Sequence, residues 1–456
     1  MKRYDVILIG TGQATGTILP KLLSLKKRIA VVEGGRVGGT CVNWGCTPTK
    51  TLLASARVAR AVRDAERFGI YAGEPRVDYG RVMERVNEIR RGSSDGFRAW
   101  LEKVTGFYDG WGSFEDAHTV RIGDARIRGE EILIHTGTLS RKPDLPGLDS
   151  IPWLDNRGLL DLAELPEHLV ILGGSYIGME FAQAYRALGS RVSVLEFSDR
   201  LVPREDPDFS DALRELLEAE GVEILLNARA ESVRTGARVG IELAYRRGDS
   251  TGTMEGSHLL AAVGRMPNTA GLDLDKAGVL LDDRGFIRVD DRCRTSVPHI
   301  FALGDVNGRG AFTHTSVHDG QIYLSALEGG SLTLRDRVPV YSLYTDPPLA
   351  RVGASESELK KAGRGYRRAV LRMSEVPRAR EKGETRGFVK ILVDEREDFI
   401  LGAGLLGTGG DEAIGILALA IRSRLPYSAL TDTVLPHPTL SEMLPWMFEN
   451  LEAVRP

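Results

Sequence analysis

Apolar runs of strand length alternate with helical spacing near the start of the chain. The first run, residues 4–10, leads into Gly10-Thr11-Gly12, and helical spacing then continues to residue 23. A second apolar run covers residues 29–32, and Glu33 follows it directly. The pattern predicts a strand, a tight turn, a helix and a parallel strand.

The same arrangement returns in the middle of the chain. An apolar run at residues 169–172 leads into the turn 173–178 (GGSYIG), a helical segment to residue 188, a strand at 191–195 and then Glu196. In such units the glycines allow a tight turn and the helix N-terminus receives a pyrophosphate. The acid after the second strand binds a ribose hydroxyl. The first unit departs from the usual spacing, because Thr15 stands at the third glycine position and Gly16 comes one residue late.

Two such units in one chain predict two bound dinucleotides, or two halves that face each other. Between and after them lie a helical region at 51–103, a β-rich segment at 107–136, and alternating strands and amphipathic helices from about residue 338. An apolar stripe of Ile414, Leu417, Ala418 and Ile421 predicts a helix packed on a core, and it could also serve a subunit contact. A chain of 456 residues predicts several domains.

Composition narrows the function. A hydrophobic share of 42%, a charged share of 27% and a net charge of -3 describe a soluble globular protein with no basic surface for nucleic acid or anionic membrane. No apolar run is long enough to cross a bilayer, and no signal-peptide cleavage site follows the first residues. Three cysteines are too few for a disulfide framework. A cytoplasmic protein with one working dithiol is expected.

Two of those cysteines, Cys41 and Cys46, have four residues between them in the segment GGTCVNWGCTPTK, residues 38–50. A short loop can close such a pair into a disulfide. Pro48 and Thr49 open a helical segment, so Cys46 is expected near a helix N-terminus, where the dipole favours a thiolate. The alternative is a pair of buried, inert cysteines, which is the expectation for Cys293 in its strand-like run.

Taken in order, these segments resemble the flavin-dependent pyridine nucleotide-disulfide oxidoreductases, the family of lipoamide dehydrogenase, glutathione reductase and mercuric reductase. The segments are the first glycine turn, GGTCVNWGCTPTK (38–50), GGSYIGMEFA (173–182), GRMPNT (264–269), TSVPHIFALGD (295–305) and HPTLSE (437–442). The resemblance implies an α/β fold with two Rossmann-like dinucleotide-binding domains, for FAD and for NAD, and a C-terminal α+β dimerisation domain. The implied division is 1–149 and 267–335 for FAD, 150–266 for NAD(P)H, and 336–456 for the dimer interface.

The resemblance also implies residue roles. Cys46 would be the charge-transfer thiol against the flavin, and Cys41 the interchange thiol that meets the substrate. Lys50, paired with Glu180, would lie near flavin N5. Tyr176 would be a gate over the flavin that nicotinamide displaces, although a packing aromatic is the plainer alternative. The residues implied to bind the two cofactors are Gly10, Gly12, Glu33, Thr40, Lys50, Gly112, Gly137, Asp305, His314, Gly173, Gly174, Tyr176, Ile177, Gly178, Glu196 and Gly264.

Two histidines keep alternatives. His314 either lies beside the flavin or is a plain hydrogen-bonded histidine. His437 would be the acid/base that serves the partner's dithiol in a homodimer, oriented by Glu442. Thr439-Leu440-Ser441-Glu442 is also a capping-box sequence, so Glu442 is either an orienting residue or a helix cap.

The cofactors implied are FAD and NADH. Glu196 would repel a 2′-phosphate, while nearby Arg200 leaves NADPH possible. The predicted reaction passes electrons through Cys41–Cys46 to a small disulfide, or runs in reverse on a dithiol. The alternatives are a soft-metal ion reductase of the mercuric or copper(II) type and a cofactor-binding protein that contacts a partner. Pro20 stands where glutathione reductase keeps an arginine, and the chain has no C-terminal cysteine pair of the mercuric reductase kind.

Overall fold

The structure, a computed structural model, describes residues 1–236 and 240–455. Its first part is built on a mixed sheet. The elements are β1 (Lys2–Ile9), α1 (Gln13–Ser24), β2 (Ile29–Glu33), α2 (Gly39–Asn43), α3 (Cys46–Arg63), α4 (Tyr79–Val104), β3 (Gly106–Asp109), β4 (Gly112–Phe114), β5 (Thr119–Ile122), β6 (Ala125–Ile134) and β7 (Thr138–Ser140).

The first sheet has the strand order β3-β2-β1-β6-β5-β4. Strands β3, β2, β1 and β6 are parallel, and a later strand, β16 (Ile300–Ala302), pairs in parallel with the end of β6. The inner strands are buried on both faces, which explains why the predicted strands are continuous apolar runs rather than alternating ones. The carboxyl ends of β1, β2, β6 and β16 therefore meet at one edge of the sheet.

The second part repeats this plan on a smaller scale. Its elements are α5 (Asn156–Leu160), β8 (His168–Leu172), α6 (Tyr176–Leu188), β9 (Arg191–Leu195), α7 (Pro207–Ala219), β10 (Glu223–Leu225), β11 (Ala228–Thr235), β12 (Ile241–Arg247), β13 (Ser250–Gly256), β14 (His258–Ala261) and β15 (Arg265–Pro267). The parallel sheet β10-β9-β8-β14 is accompanied by the antiparallel sheet β11-β12-β13, and β15 pairs with β7 to tie this part to the first.

After β16 and α8 (Thr313–Leu327), the chain forms an antiparallel sheet of order β17-β18-β21-β20-β19-β22. Its elements are β17 (Val340–Leu343), β18 (Leu349–Gly353), α9 (Glu356–Lys361), β19 (Tyr366–Arg372), α10 (Pro377–Glu381), β20 (Phe388–Asp394), β21 (Ile400–Leu406), α11 (Gly410–Arg422), α12 (Ser428–Thr431), α13 (Met443–Met447) and β22 (Glu452–Val454). Buried Ile414 and Leu417 of α11 pack on this sheet, while Leu419 is exposed on the other side of the helix.

A buried lysine joins this sheet to the second part of the chain. Lys390 on β20 is 2% exposed, and its Nζ lies 2.9 Å from Asp206, 2.9 Å from Asp208 and 3.0 Å from Glu356. The Phe209 ring lies under the same ammonium group at 5.0 Å. A buried cation surrounded by carboxylates is strongly paired, and its loss would leave several acids without a counter-charge.

Two details differ from the sequence prediction. Helix α3 begins at Cys46, two residues before Pro48, because the N–H groups of a first helical turn have no intrahelical partner and proline is tolerated there. Cys293 is buried as predicted, but it lies in a turn with a φ of +61° and not in a strand. Asp290 determines that turn, because its carboxylate accepts hydrogen bonds from the N–H groups of Arg292 and Arg294.

Candidate active site

The two cysteines flank a short turn between α2 and α3. Cys41 lies in α2 and is half-buried, and Cys46 is the first residue of α3 and is solvent-accessible. Side-chain amides fix this segment by donating hydrogen bonds to its backbone carbonyls. Asn156 Nδ2 donates to the Trp44 carbonyl at 2.6 Å. Asn43 Nδ2 donates to the carbonyl of Val37 at 3.0 Å. The backbone that carries the two thiols is thus held in place by side-chain hydrogen bonds.

The two thiols have opposite acidities. A hydrogen bond with Cys41 lowers the pKa of Cys46 to about 6, with further help from the Thr313 hydroxyl and the Lys50 ammonium group. Thr313 Oγ1 lies 3.2 Å from Cys46 Sγ. The pKa of Cys41 is raised, first by its hydrogen bond to the Cys46 thiolate and then by burial. At neutral pH the pair therefore holds one proton, on Cys41, and one negative charge, on Cys46.

One turn along α3 from Cys46, Lys50 makes an ion pair that joins the two sheet units. Its Nζ lies 2.8 Å and 2.9 Å from the two carboxylate oxygens of Glu180 on α6. Glu180 is buried and also accepts a hydrogen bond from the Tyr344 N–H at 2.9 Å, and the Tyr344 ring lies 4.7 Å from the ammonium group. The pair predicted from the resemblance is therefore formed in the structure.

Tyr176 lies four residues before Glu180 on α6, so both side chains project from one face of that helix. Its hydroxyl donates to Glu205 at 2.8 Å, and its ring meets Phe312 edge-on at 6.3 Å. Phe312 directly precedes Thr313, which contacts Cys46. Tyr176 is thus linked to the dithiol in two ways: through Phe312 and Thr313, and through Glu180, which lies on the same face of α6 and pairs with Lys50.

A first dinucleotide cradle lies at the carboxyl edge of the first sheet. Gly10 follows β1, Glu33 ends β2, Gly137 follows β6, and Asp305 follows β16. The Thr11 N–H and hydroxyl donate to Glu33 at 3.1 Å and 2.5 Å, so the acid closes the glycine turn. Nothing lies within 4 Å of where a Cβ on Gly137 would stand. The glycine turn, the acid after β2 and the open space at Gly137 fit a dinucleotide such as FAD, whose pyrophosphate the turn would hold.

Asp305 is half-buried at this edge, and its partial removal from water raises the pKa of its carboxyl group. Thr138 donates to one of its oxygens at 3.0 Å. Gly112 begins β4, Thr40 lies in α2 beside Cys41, and His314 lies in the first turn of α8. The His314 ring stacks on Phe312 and hydrogen-bonds to the Val340 carbonyl at 2.5 Å. That bond engages one ring nitrogen of His314, Nε2.

The second cradle lies at the carboxyl edge of β8, β9 and β14. The Gly174 N–H donates to Glu196 Oε2 at 2.5 Å, and the Ser198 N–H donates to Oε1 at 2.7 Å. Gly173 follows β8, Ile177 and Gly178 lie in the first turn of α6, and space is open around Gly264. Arg200 makes a two-point ion pair with Asp199 at 2.9 Å and 3.0 Å and not with Glu196. The predicted NAD-binding residues therefore converge.

His437 and Glu442 form a separate pair near the C-terminus. His437 Nδ1 lies 2.9 Å from Glu442 Oε2, and the imidazole is 73% exposed. The Thr439 N–H donates to Glu442 at 3.2 Å, and the Glu442 N–H donates to the Thr439 hydroxyl at 3.2 Å. Glu442 thus contacts the imidazole and also closes the turn 439–442 through its hydrogen bonds with Thr439, and α13 begins directly after it, at Met443. Within residues 1–236 and 240–455, no hydrogen bond joins His437 to a cysteine of its own chain.

Several side chains of the site carry no signal in the sequence. Thr313, Tyr341, Tyr344 and Glu205 come from segments far from the cysteines; the packing of α8 and β17 brings the first three there, and the segment between β9 and α7 brings Glu205. In the described part of the chain, no group of three or more His, Cys, Asp or Glu side chains could hold a metal ion. No helix in that part is long and apolar enough to cross a membrane.

Comparison with known proteins agrees with this geometry. Residues 4–320 match the family model "Pyridine nucleotide-disulphide oxidoreductase", and residues 340–448 match the dimerisation domain of the same family. The chain is 36% identical to the probable pyridine nucleotide-disulfide oxidoreductase RclA of Escherichia coli (strain K12), over 98% of this chain and 99% of that protein. It is 33% identical to the mercuric reductase of Streptomyces lividans, over 97% of this chain and 94% of that protein.

It is also 32% identical to a dihydrolipoyl dehydrogenase of Chlamydia muridarum (strain MoPn / Nigg), over 99% of this chain and 97% of that protein. A solved structure, described as the Cu(II) complex of the HOCl-induced flavoprotein disulfide reductase RclA from Escherichia coli, superposes with a TM-score of 0.89 at 34% identity. The match covers 99% of this chain and 100% of that one. The predicted α/β fold and the resemblance are confirmed. The chain belongs to the pyridine nucleotide-disulphide oxidoreductase family, whose members bind FAD and use NAD(P)H.

Proposed function

We propose that this oxidoreductase moves electrons from NADH to a small external disulfide through Cys41 and Cys46. The observation that supports it most is the geometry around the dithiol: Cys46 begins α3 with its Sγ 3.2 Å from the Thr313 hydroxyl, and Lys50, one turn along the helix, is paired with Glu180. The lowered pKa of Cys46 and the raised pKa of Cys41 agree with it. FAD, when bound, relays two electrons between a nicotinamide and the dithiol. The protein residues then supply geometry, charge and proton transfer.

The cradle residues divide between the two cofactors. FAD is held by Gly10, Gly12, Glu33, Thr40, Lys50, Gly112, Gly137 and Asp305, with His314 beside it, and the nicotinamide dinucleotide by Gly173, Gly174, Tyr176, Ile177, Gly178, Glu196 and Gly264. The Lys50–Glu180 ion pair, at 2.8 Å, fixes a positive charge one helical turn from Cys46. That charge stabilises negative charge on the cofactor side of the thiolate.

Thiol chemistry then requires a base. Cys41 must lose its proton before it attacks a disulfide sulfur, since the thiolate is the nucleophile. The raised pKa of Cys41 makes this step unfavourable without help. We infer that His437 of the partner subunit accepts this proton, because His437 is exposed and oriented by Glu442 and the chain carries the dimerisation domain. The enzyme is therefore proposed to be a homodimer with two shared sites.

NADH is the proposed nucleotide. The Glu196 carboxylate receives two backbone N–H groups and faces the turn, where it would meet a ribose 2′-hydroxyl and repel a 2′-phosphate. Arg200 is already paired with Asp199 and is not free to bind a phosphate. A kcat/KM for NADPH that exceeds the value for NADH would overturn this assignment.

A second candidate function is reduction of a soft metal ion. Two adjacent sulfurs suit such ions, and the similar E. coli protein is described as a Cu(II) complex. Trp44 lies in the turn between the cysteines, with its ring 4.4 Å from the Arg157 guanidinium. We infer that this bulky side chain narrows the approach to the dithiol. A small ion would pass more easily than a lipoyl arm. Turnover with lipoamide compared with Cu(II) or Hg(II) in excess thiol separates the two functions.

Substitution of Cys46 tests the proposal directly. Cys46→Ser should abolish NADH-dependent turnover of every acceptor, whereas Cys293→Ser, at a buried cysteine outside the site, should retain it. The rate of dithiol reoxidation in the native enzyme should also fall below about pH 6, as the thiolate becomes protonated. Full turnover by Cys46→Ser would contradict the proposal.

The domain division is proposed on the same basis, with residues 1–149 and 267–335 for FAD, 150–266 for NADH and 336–456 for the dimer. A cytoplasmic location remains a proposal that fits a dithiol kept in working order by a reducing compartment. Fractionation of cells against compartment markers tests it.

A further inference from the structure

One buried carboxylate beside the active site receives two tyrosine hydroxyls. Glu205 has 1% of its side chain exposed, and its Oε1 accepts hydrogen bonds from Tyr176 and from Tyr341, each at 2.8 Å. Its Oε2 faces Arg351 Nη1 at 3.2 Å. The carboxylate is therefore fully engaged, with one guanidinium and two phenols as partners.

The two tyrosines belong to an aromatic cluster that we define as Tyr176, Phe312 and Tyr341. Phe312 stacks on Tyr341 with a centroid distance of 5.2 Å and an interplanar angle of 6°, and Tyr176 meets Tyr341 edge-on at 5.7 Å. Burial and the negative charge of Glu205 raise the pKa of both tyrosines, so both remain hydrogen-bond donors at neutral pH. The cluster borders the dithiol through Thr313.

Tyr176 is the member of this cluster that borders the second cradle. It lies in the first turn of α6, directly after the glycine turn of the second cradle, and on the same helix face as Glu180. Tyr341 instead lies within β17, where its backbone is paired with Arg351 of β18. A nucleotide in the second cradle would therefore meet the Tyr176 ring before it reached Tyr341 or Arg351.

We propose that Glu205 is a positioning residue that holds Tyr176 over the nicotinamide position, and that Tyr341 keeps the carboxylate hydrogen-bonded when Tyr176 leaves. This rests on the proposed function, in which Tyr176 is the side chain that nicotinamide displaces. The structure gives the reason for two phenols on one oxygen. When Tyr176 swings away, Glu205 Oε1 keeps the Tyr341 hydroxyl and Oε2 keeps Arg351, so no buried charge is left unpaired.

This arrangement predicts opposite effects for two chemically identical substitutions. Tyr176→Phe removes the bond that opposes displacement, so NAD⁺ should bind more tightly. Tyr341→Phe removes the hydroxyl that compensates Glu205 after displacement, so NAD⁺ should bind more weakly. Each effect should be about fivefold to tenfold in Kd, the scale of one hydrogen bond to a charged acceptor.

The experiment is a calorimetric titration of the FAD-loaded dimer with NAD⁺, which binds without turnover. It compares the native enzyme, Tyr176→Phe, Tyr341→Phe and the double variant. In the Tyr176→Phe background, Tyr341→Phe should no longer change the Kd, because the bond that it modulates is absent. Both single variants keep Arg351 paired with Glu205 and should fold, as circular dichroism and FAD content will verify. Glu205→Gln should tighten NAD⁺ binding in the same direction as Tyr176→Phe.

A purely structural role for the tyrosines predicts equal losses of stability and an unchanged Kd in both variants, and that result would overturn the proposal. Shifts of the same sign, or of reversed sign, would also overturn it. Tyr176→Ala separates this outcome from failure of the gate itself. If Tyr176→Ala leaves the NAD⁺ Kd unchanged, Tyr176 is not the displaced side chain. If it changes the Kd while Tyr341→Phe does not, only the role of Glu205 and Tyr341 is lost.

Discussion

The two dinucleotide cradles have the same order of elements but keep different glycines. The first turn has Gly10, Gly12 and, at the third position, Thr15. The second has Gly173, Ser175 and Gly178 at the same three positions. In both, an N–H of the turn donates to the acid at the end of the second strand, Thr11 to Glu33 and Gly174 to Glu196. Both turns therefore make the same backbone hydrogen bond to the acid, and they differ in where the neighbouring residues leave room for a side chain.

One residue on the neighbouring strand explains which glycine is kept. His135 and Ala262 occupy equivalent places, since their N–H groups donate to the last residues of β1 and β8, Ile9 and Leu172. A Cβ on Gly12 would stand 2.6 Å from the His135 ring, so glycine is required there. Ala262 has no ring, and Ser175 fits at the matching position of the second turn.

At the third glycine position, by contrast, the second unit requires glycine and the first does not. A Cβ on Gly178 would stand 2.2 Å from the Gly173 carbonyl oxygen, so α6 packs closely on its turn. In the first unit, Thr15 has room, and its hydroxyl donates to the Gly10 carbonyl at 2.9 Å and lies 3.3 Å from His135 Nδ1. The first turn therefore lacks the third glycine because its surroundings leave room for a side chain, and it still makes the backbone contact to the acid that the second turn makes.

The largest expected effect comes from giving the second unit the residue of the first. Gly178→Thr should destabilise the protein by at least about 3 kcal/mol or abolish NAD⁺ binding, because a side chain cannot enter the contact between α6 and Gly173. The reverse exchange, Thr15→Gly, should cost only about 1 to 2 kcal/mol, from the lost hydrogen bond and the added chain freedom. Urea unfolding and FAD content measure both, and equal effects would contradict the comparison.

A pH dependence should belong to the first cradle. Burial lowers the pKa of His135 to about 4, below its ordinary value of 6.5. His135 therefore binds a proton more readily in the unfolded chain than in the folded one. The free energy of unfolding is highest above pH 6.5, where the imidazole is neutral in both states, and it decreases as the pH falls towards 4. The loss amounts to about 3 kcal/mol. Urea unfolding at several pH values should give a shallower pH dependence for His135→Gln than for the native chain. Parallel curves would show that His135 does not contribute.

A smaller effect tests the contact between Gly12 and the His135 ring. Gly12→Ser alone should weaken FAD retention by about 2 kcal/mol, because the new side chain meets the imidazole. In a His135→Ala chain, which copies the second unit, the same substitution should be nearly neutral. FAD dissociation during gel filtration reports both. A penalty that persists without the ring would exclude His135 as its cause.

The smallest effect concerns the Thr15 hydroxyl. Thr15→Ala removes the hydrogen bond to the Gly10 carbonyl and a partner of His135, at a cost of about 1 kcal/mol in thermal unfolding. Thr17→Ala is the matched control, because the Thr17 hydroxyl also donates to a carbonyl of α1, at 3.0 Å, but has no contact with His135. Equal losses would mean that His135 adds nothing.

The sequence predicted the backbone of both cradles because the signals are local. An apolar run, a glycine turn and an acid after the next strand lie within 30 residues of one another, and each keeps its meaning without the rest of the chain. The Lys50–Glu180 pair and His437–Glu442 were predicted through the family resemblance, and the structure shows hydrogen bonds in both.

Tertiary partners could not be predicted in this way. Thr313 is separated from Cys46 by 267 residues, and Tyr341 from Glu205 by 136. No period or spacing connects them, because the contacts arise only when α8 and β17 pack against the first two parts of the chain. The choice between orienting residue and cap for Glu442 was also undecidable from sequence, because one carboxylate makes both sets of contacts.

The residue after Glu205 gives this network a wider consequence. Asp206 accepts hydrogen bonds from the N–H groups of Glu356 and Ser357 at the start of α9, and it pairs with Lys390 of β20. Both elements lie in the region that matches the family's dimerisation domain. The residue next to the hydrogen-bond partner of Tyr176 is thus bonded to the region that matches the dimerisation domain, which we propose a second subunit contacts. If nicotinamide binding changes this network, then binding and subunit association should influence each other, because such coupling is reciprocal. We therefore expect subunit dissociation on dilution to shift the affinity for nicotinamide even while each protomer remains folded.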